Sequence, residues 1–363
     1  MAVSRLSGRL ERIRASQKNG ATSGELPSLP RKTPLSNAVP AASVPLTGWE
    51  ETAPFLFERT SRVALSGFRR DFSPHLPLLF PREREALSEE KVSAQLADSL
   101  VFFDLETTGL SHGAGTVAFM AGVARFEEEE LRIHQILLSD YPGEPAFLAR
   151  FIVLVGENPV FVSFNGKCFD TQILFTRFMM NAFKPSCLSR GVLHLDLLFP
   201  SRRLWKKQLG SCRLSIIENE ILGVTRVDDL PGSEAPEAWF AYVRSGQTEK
   251  LLAIGDHNRE DCISLARLLF ALDDSIESAS GRAALIRALH LRSGKDWEGA
   301  ALLLETLAAE GDALSLRILA IDAEHRLCNL EKAYFFAEKL GDEKRMRRIQ
   351  GKIEKSGTDK KSR

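Results

Sequence analysis

The sequence lacks net charge: 48 lysines and arginines face 48 aspartates and glutamates over 363 residues. Such a balance excludes broad electrostatic wrapping around a polyanion or an anionic membrane. Long apolar runs are missing too. Stretches such as Phe147–Val155 fall short of the ~20 residues that span a bilayer. Met1–Lys18 is polar and Arg-rich, without the apolar core of a secretory signal. Cysteine is scarce, five in all with no Cys-x-x-Cys pair, so neither a disulfide frame nor a thiolate zinc site is expected. The expectation is a soluble cytoplasmic protein without membrane contact. Proline stops early: nine of 16 lie in the first 81 residues and none follows Pro236.

The neutral total conceals a pattern. Residues 1–49 carry a net charge of +5 and residues 339–363 one of +6, which leaves about −11 on the middle. The chain is an acidic body with two basic ends. Residues 1–48 are rich in Pro, Ser and basic side chains and hold too few large apolar groups to offset ordering entropy. A lead-in element over 49–98 is expected to hold a strand at Ser61–Leu65 and a helix over Pro81–Leu96.

From residue 99 to 275 the periodicity is that of a mixed sheet flanked by helices. Leu100–Asp104 is a short apolar run bounded by polar residues, as in a buried strand. Thr116–Phe126 and Leu131–Ser139, joined by an acidic turn, complete an antiparallel meander. Strands at Pro159–Phe164 and Val192–Leu198 then alternate with helices at Pro145–Val155, Phe169–Asn181, Arg213–Leu222, Pro236–Ser245 and Thr248–Asp273. Residues 281–345 are helical and weakly repetitive. An offset of 33 matches Glu298 with Glu331, Ala300 with Ala333, Glu305 with Glu338 and Leu307 with Leu340, the tetratricopeptide period. Residues 346–363 form a basic tail.

Acids stand where acids are costly. Asp104 ends an apolar strand and Glu106 follows at i+2, so both leave one face of an extended chain. Their repulsion calls for protons or cations. Thr107, Thr108 and Gly109 make a tight turn of small residues suited to close approach by a ligand. Asp170 follows Asn165-Gly-Lys-Cys-Phe169, where Gly166 permits a sharp turn; taken alone, Asp170 would serve equally as a first-turn helix residue. His257 and Asp261, at i and i+4, share one helical face beside an apolar stripe, a spacing that also suits a surface pair.

Together, Phe103-Asp-Leu-Glu-Thr-Thr-Gly109, Phe164-Asn-Gly-Lys-Cys-Phe-Asp170 and His257-Asn-Arg-Glu-Asp261 resemble the three motifs of the DEDD superfamily. These are ribonuclease H-like 3′–5′ exonucleases, polymerase proofreading domains among them. The second motif is most similar to the family-B polymerase form, Asn-Gly-x-x-Phe-Asp. The chain resembles in particular the bacterial YprB-like proteins, which carry this domain with a tetratricopeptide-like tail. One departure stands out. Motifs with the i, i+4 spacing usually place Tyr first, whereas here His257 occupies that position.

The resemblance implies an α/β, ribonuclease H-like fold with an all-α tail. It implies two Mg²⁺ or Mn²⁺ ions per site held by Asp104, Glu106, Asp170 and Asp261, an oxygen set suited to hard cations. Asp104 would bridge both ions, Glu106 and Asp261 would complete the one near the nucleophile, and Asp170 would act through water. His257 would orient or deprotonate the attacking water. The Thr107–Leu110 backbone, Asn165 and Gly166 would meet the terminal nucleotide of single-stranded DNA or RNA. His194 and Asp196, on one face of an apolar strand, form a His-x-Asp element like one in YprB-like proteins, placed either at the site edge or in a structural pair. Arg202, Arg203, Lys206, Lys207 and Arg213 surround Trp205, a basic run that fits either a solvated loop or a phosphate track with a stacking ring.

The activity so implied is 3′–5′ exonucleolytic hydrolysis, with a possible protein partner for the helical repeats. A catalytically inactive nucleic-acid or protein adaptor and a structure-specific endonuclease are the alternatives.

Overall fold

The computed structural model describes residues 44–65, 69, 71–89, 95–109, 115–188, 192–226 and 230–359. Most of the expected N-terminal tail, and residues 360–363 of the C-terminal one, lie outside these. Seven strands form one sheet: β1 (Glu50–Ala53), β2 (Leu56–Ala64), β3 (Leu100–Thr107), β4 (Ala118–Glu127), β5 (Glu130–Leu138), β6 (Val160–Ser163) and β7 (His194–Asp196). Their order is β1-β2-β5-β4-β3-β6-β7. The pairs from β1 to β3 are antiparallel, and β3-β6 and β6-β7 are parallel.

The lead-in segment is part of this sheet. β2 pairs with β5 from Leu56↔Leu138 to Ala64↔Glu130, a longer strand than Ser61–Leu65, because Leu56 and Phe57 are buried in the core. The helix expected over Pro81–Leu96 reduces, among the described residues, to the short turns Arg84–Leu87 and Leu96–Ser99.

Helices α1 (Glu144–Val155), α2 (Asp170–Met180), α3 (Leu198–Leu209), α4 (Ala235–Ser245) and α5 (Glu249–Ser278) cover the sheet. One face packs Val101, Phe103 and Leu105 against apolar residues of α1, α2 and α4. The other packs Leu100 and Phe102 against α3 and the Cys262–Ile276 part of α5. Arg202, Arg203, Lys206 and Lys207 of the basic run lie on helix α3 rather than in a loop, and Arg213 follows it in extended backbone. Trp205 is buried in the second core, which removes it as a stacking surface for bases.

Beyond Ser280 run α6 (Gly281–Ser293), α7 (Trp297–Ala309), α8 (Ala313–His325), α9 (Leu330–Leu340) and α10 (Glu343–Asp359). Asp296, Asp312, Asn329 and Asp342 each accept a hydrogen bond from the backbone N–H three residues on, which offsets unpaired donors at the helix starts. Asp296 and Asn329 stand 33 residues apart, as do the buried Ala300 and Ala333. Ala283 of α6 enters the second sheet core and so joins the helices to it. Among the described residues no helix is long and apolar enough to cross a membrane.

Candidate active site

Alternation along β3 decides where its acids point. Val101, Phe103 and Leu105 face one core, Leu100 and Phe102 the other, and Asp104 and Glu106 continue the second set toward α5. Across the sheet, Arg59, Gln135, Gly122 and Asp104 stand side by side on β2, β5, β4 and β3. A Cβ on Gly122 would lie 2.5 Å from Asn258 Oδ1 and 2.6 Å from Cys262 Sγ. Glycine therefore lets α5 press onto the sheet, and the fully buried Asn258 side chain fills the gap.

From there Asn258 Nδ2 donates to Asp104 Oδ2 at 3.0 Å and to the Asp104 carbonyl at 3.2 Å. Its Oδ1 accepts from Gln135 Nε2 at 3.0 Å. Gln135 Oε1 in turn accepts from Arg59 Nε at 3.0 Å and Nη2 at 2.8 Å. A chain of oriented amides thus ends on the carboxylate of the first motif. Gln135 lies outside the three motifs, and Asn258, within the third, draws no attention there because it is uncharged; the available signal is a polar residue within an apolar strand or beside an apolar stripe.

The second motif is held from behind. Asn165 adopts a left-handed φ of 65°. Asp196 accepts from the backbone N–H groups of Asn165 at 2.8 Å, Leu198 at 3.2 Å and Lys167 at 3.3 Å. His194 Nε2 lies 2.7 Å from Ser163 Oγ. A Cβ on Gly166 would approach Ser163 Oγ to 2.4 Å and Asp170 Oδ2 to 2.9 Å, so close approach rather than φ is what asks for glycine. Burial, with help from Lys167, lowers the His194 pKa to about 3, and the ring is neutral. Of the two roles open to His194 and Asp196, their burial and absence from the Asp104 cavity lining favour the structural one, shaping the loop that carries Asp170.

Asp104, Glu106, Asp170, His257 and Asp261 line one open cavity of about 540 Å³, together with Thr107, Gly109 and Asn165. Thr108 is turned to the strand partner instead, where its Oγ1 accepts from Val117 N at 3.0 Å. Gly166 supports the loop without lining the cavity, and Leu110 lies outside the described residues. Arg203 Nη1 donates to the Leu78 and Leu79 carbonyls, at 2.9 and 3.1 Å, and Arg203 is not among the residues that line this cavity. Arg202 is exposed on α3, away from the cavity lining.

Charge is concentrated here. Burial, then the charges of Asp261, Glu106 and Asp170, hold the Asp104 carboxyl well above the usual range, against the Asn258 hydrogen bond. Burial, then Asp196 and Asp261, raise Asp170 to about 7. Burial raises Asp261 as well, while His257 and Arg226 oppose it. Arg226 enters from outside the three motifs. Its Nη2 donates to Asp261 Oδ1 at 2.5 Å and to Glu218 Oε1, and its Nη1 lies 3.3 Å from His257 Nδ1.

An all-oxygen set with mutually repelling buried charge fits a hard divalent cation. Among the described residues no three His, Cys, Asp or Glu side chains form a ready-made cage, and Asp261 is engaged by Arg226.

The family model described as RNase_H superfamily matches residues 101–272, the span that contains β3 to β7, the cavity and most of α5. The fold of this span is RNase H-like. β3 carries the first acidic motif, the loop from β6 into α2 the second and α5 the third. The Bacillus subtilis (strain 168) protein described as "Uncharacterized protein YprB" is 35% identical over 184 residues, covering 50% of this chain and 44% of that protein. The chain thus spans less than half the length of that relative. Among solved structures, product-bound exonuclease I matches with a TM-score of 0.30 and 18% identity, over 43% of this chain and 45% of that one. Exonuclease I of E. coli with a dT13 oligonucleotide matches with a TM-score of 0.29 and 17% identity, over 45% and 42%.

Proposed function

We propose that the RNase H-like domain is a metal-dependent 3′–5′ exonuclease that hydrolyses phosphodiester bonds at the end of single-stranded DNA or RNA. The observation that carries this reading is the meeting of Asp104, Glu106, Asp170, His257 and Asp261, from three separate motifs, around one open cavity. Two divalent cations, Mg²⁺ or Mn²⁺, would be held by the four carboxylates. When bound, such ions make water more acidic and offset charge developing on the phosphoryl oxygens.

The chain's own groups supply the rest. Asn258 fixes Asp104, and Asp196 fixes the loop that presents Asp170. His257 orients or deprotonates the attacking water. Thr107, Gly109 and Asn165 position the terminal nucleotide, and Phe169, 37% exposed at the cavity, offers a face for its base. The helices over 281–345 are assigned the role of a tetratricopeptide-like surface for a protein partner, in a cytoplasmic setting.

The test compares linear and circular single strands with Mg²⁺, Mn²⁺ and EDTA. Loss of linear strands alone, only with metal, supports the reading. Cleavage of circles indicates an endonuclease, and binding without any cleavage indicates an adaptor.

A further inference from the structure

Arg226 brings a full positive charge up behind Asp261 at the edge of the acidic cavity, without lining it, and its assignment rests on reading that cavity as a metal centre. Its side chain is 13% exposed. It bridges two carboxylates of different standing. Glu218, 2% exposed, sits in a π-helical turn, Glu218–Leu222, outside the cavity lining. Ser264 Oγ of α5 donates to it at 2.5 Å. Asp261, by contrast, faces the cavity and is one of the four acids suited to a cation. Removing Arg226 from Glu218 would leave a buried carboxylate without its counter-charge, a costly state. The guanidinium thus has one permanent partner and one that a divalent ion would also engage.

We infer that Arg226 is a resident cation beside the acidic cavity, anchored by Glu218 and competing with divalent ions for the Asp261 carboxylate. Without metal, it partly offsets the repulsion among the four acids. With metal, it opposes binding twice, by like-charge repulsion and by occupying Asp261 Oδ1. Arg226 is a positioning residue in this scheme, since it reaches the reacting groups through Asp261 and His257. A purely structural arginine would behave oppositely, because its loss would loosen Asp261 and weaken cation binding.

Mn²⁺ binding to the full chain, read by electron paramagnetic resonance of the free ion and by the Mn²⁺-induced rise in Tm, separates the two. R226M is expected to bind Mn²⁺ about tenfold tighter than the wild type, while melting lower in EDTA. R226K keeps the charge and is expected to remain within about threefold of the wild type. E218Q removes the charged anchor, leaves the guanidinium's pairing with Asp261 in place, and is expected to bind Mn²⁺ several-fold more weakly. Unchanged or weaker binding by a folded R226M overturns the inference. So does unchanged or tighter binding by E218Q, which decides the matter if R226M does not fold. A wild type that binds no Mn²⁺ instead overturns the metal-centre reading itself.

Discussion

Asn258 donates a hydrogen bond to Asp104 Oδ2 at 3.0 Å, and Gln135 and Arg59 hold that donor in place. The relation ties the carboxylate at the end of β3 to α5 and to strand β2, which lies before the RNase H-matched span. Replacing Asn258 with Leu keeps the volume and removes the donor. It leaves Asp104 Oδ2 without its donor, at a cost of about 1–3 kcal/mol, while Gln135 Nε2 keeps its bond to the Gly255 carbonyl at 2.7 Å. Urea denaturation is expected to show that loss, and strand hydrolysis to fall by about 10–100-fold.

Gly122→Ala tests the same contact from the opposite side. The added Cβ meets Asn258 Oδ1 and Cys262 Sγ inside 3 Å, and both belong to a buried stretch of α5. Overpacking of this kind costs about 1–3 kcal/mol. Hydrolysis is expected to fall with the displaced Asn258, and a wild-type rate in a folded G122A variant would dissociate Asn258 from the positioning of Asp104.

Each sequence signal is legible only as far as its physical cause is local. The strands around Asp104 and Asp170 and the long helix of Asp261 show in hydrophobic period, because burial on two faces imposes it. The acids show because a charge beside an apolar run is costly without a reason. Asn258 and Gln135 act through neutral amides 123 residues apart, and no local pattern joins them. Arg226 looks like any surface arginine until the fold brings Glu218 and Asp261 to it. His194, Asp196 and Arg203 show the converse: polar residues near a site in sequence whose side chains are spent on the protein's own backbone and hydroxyl groups.

Metal-free protein is expected to lose stability as pH rises. Burial and neighbouring acids raise the folded-state pKa of Asp104, and that of Asp170 to about 7, above the ordinary 3.8. Between those values the folded state holds more protons than the unfolded one, so stability is greatest below about 3.8 as far as these groups go and falls up to about 7. Tm measured against pH in EDTA checks the slope. Mn²⁺ is expected to raise Tm more at pH 8 than at pH 5, where protons compete for the same oxygens.

Arg203→Ala separates structure from substrate contact. Two hydrogen bonds from its guanidinium to the Leu78 and Leu79 carbonyls are lost, for about 1–3 kcal/mol of stability. Strand affinity and its salt dependence are expected to stay at wild-type values, because no phosphate contact is removed. A shallower salt slope, measured by fluorescence anisotropy, would return Arg203 to the substrate track.

Most directly, single-stranded DNA and RNA labelled at the 5′ end are incubated with the wild type and with Asp104→Ala in Mg²⁺ or Mn²⁺. The expected result is a ladder of labelled products shortening from the 3′ end for the wild type, absent in EDTA and absent for Asp104→Ala. Full-length strands with both metals, or shortening that survives Asp104→Ala, would contradict a nuclease centred on this carboxylate.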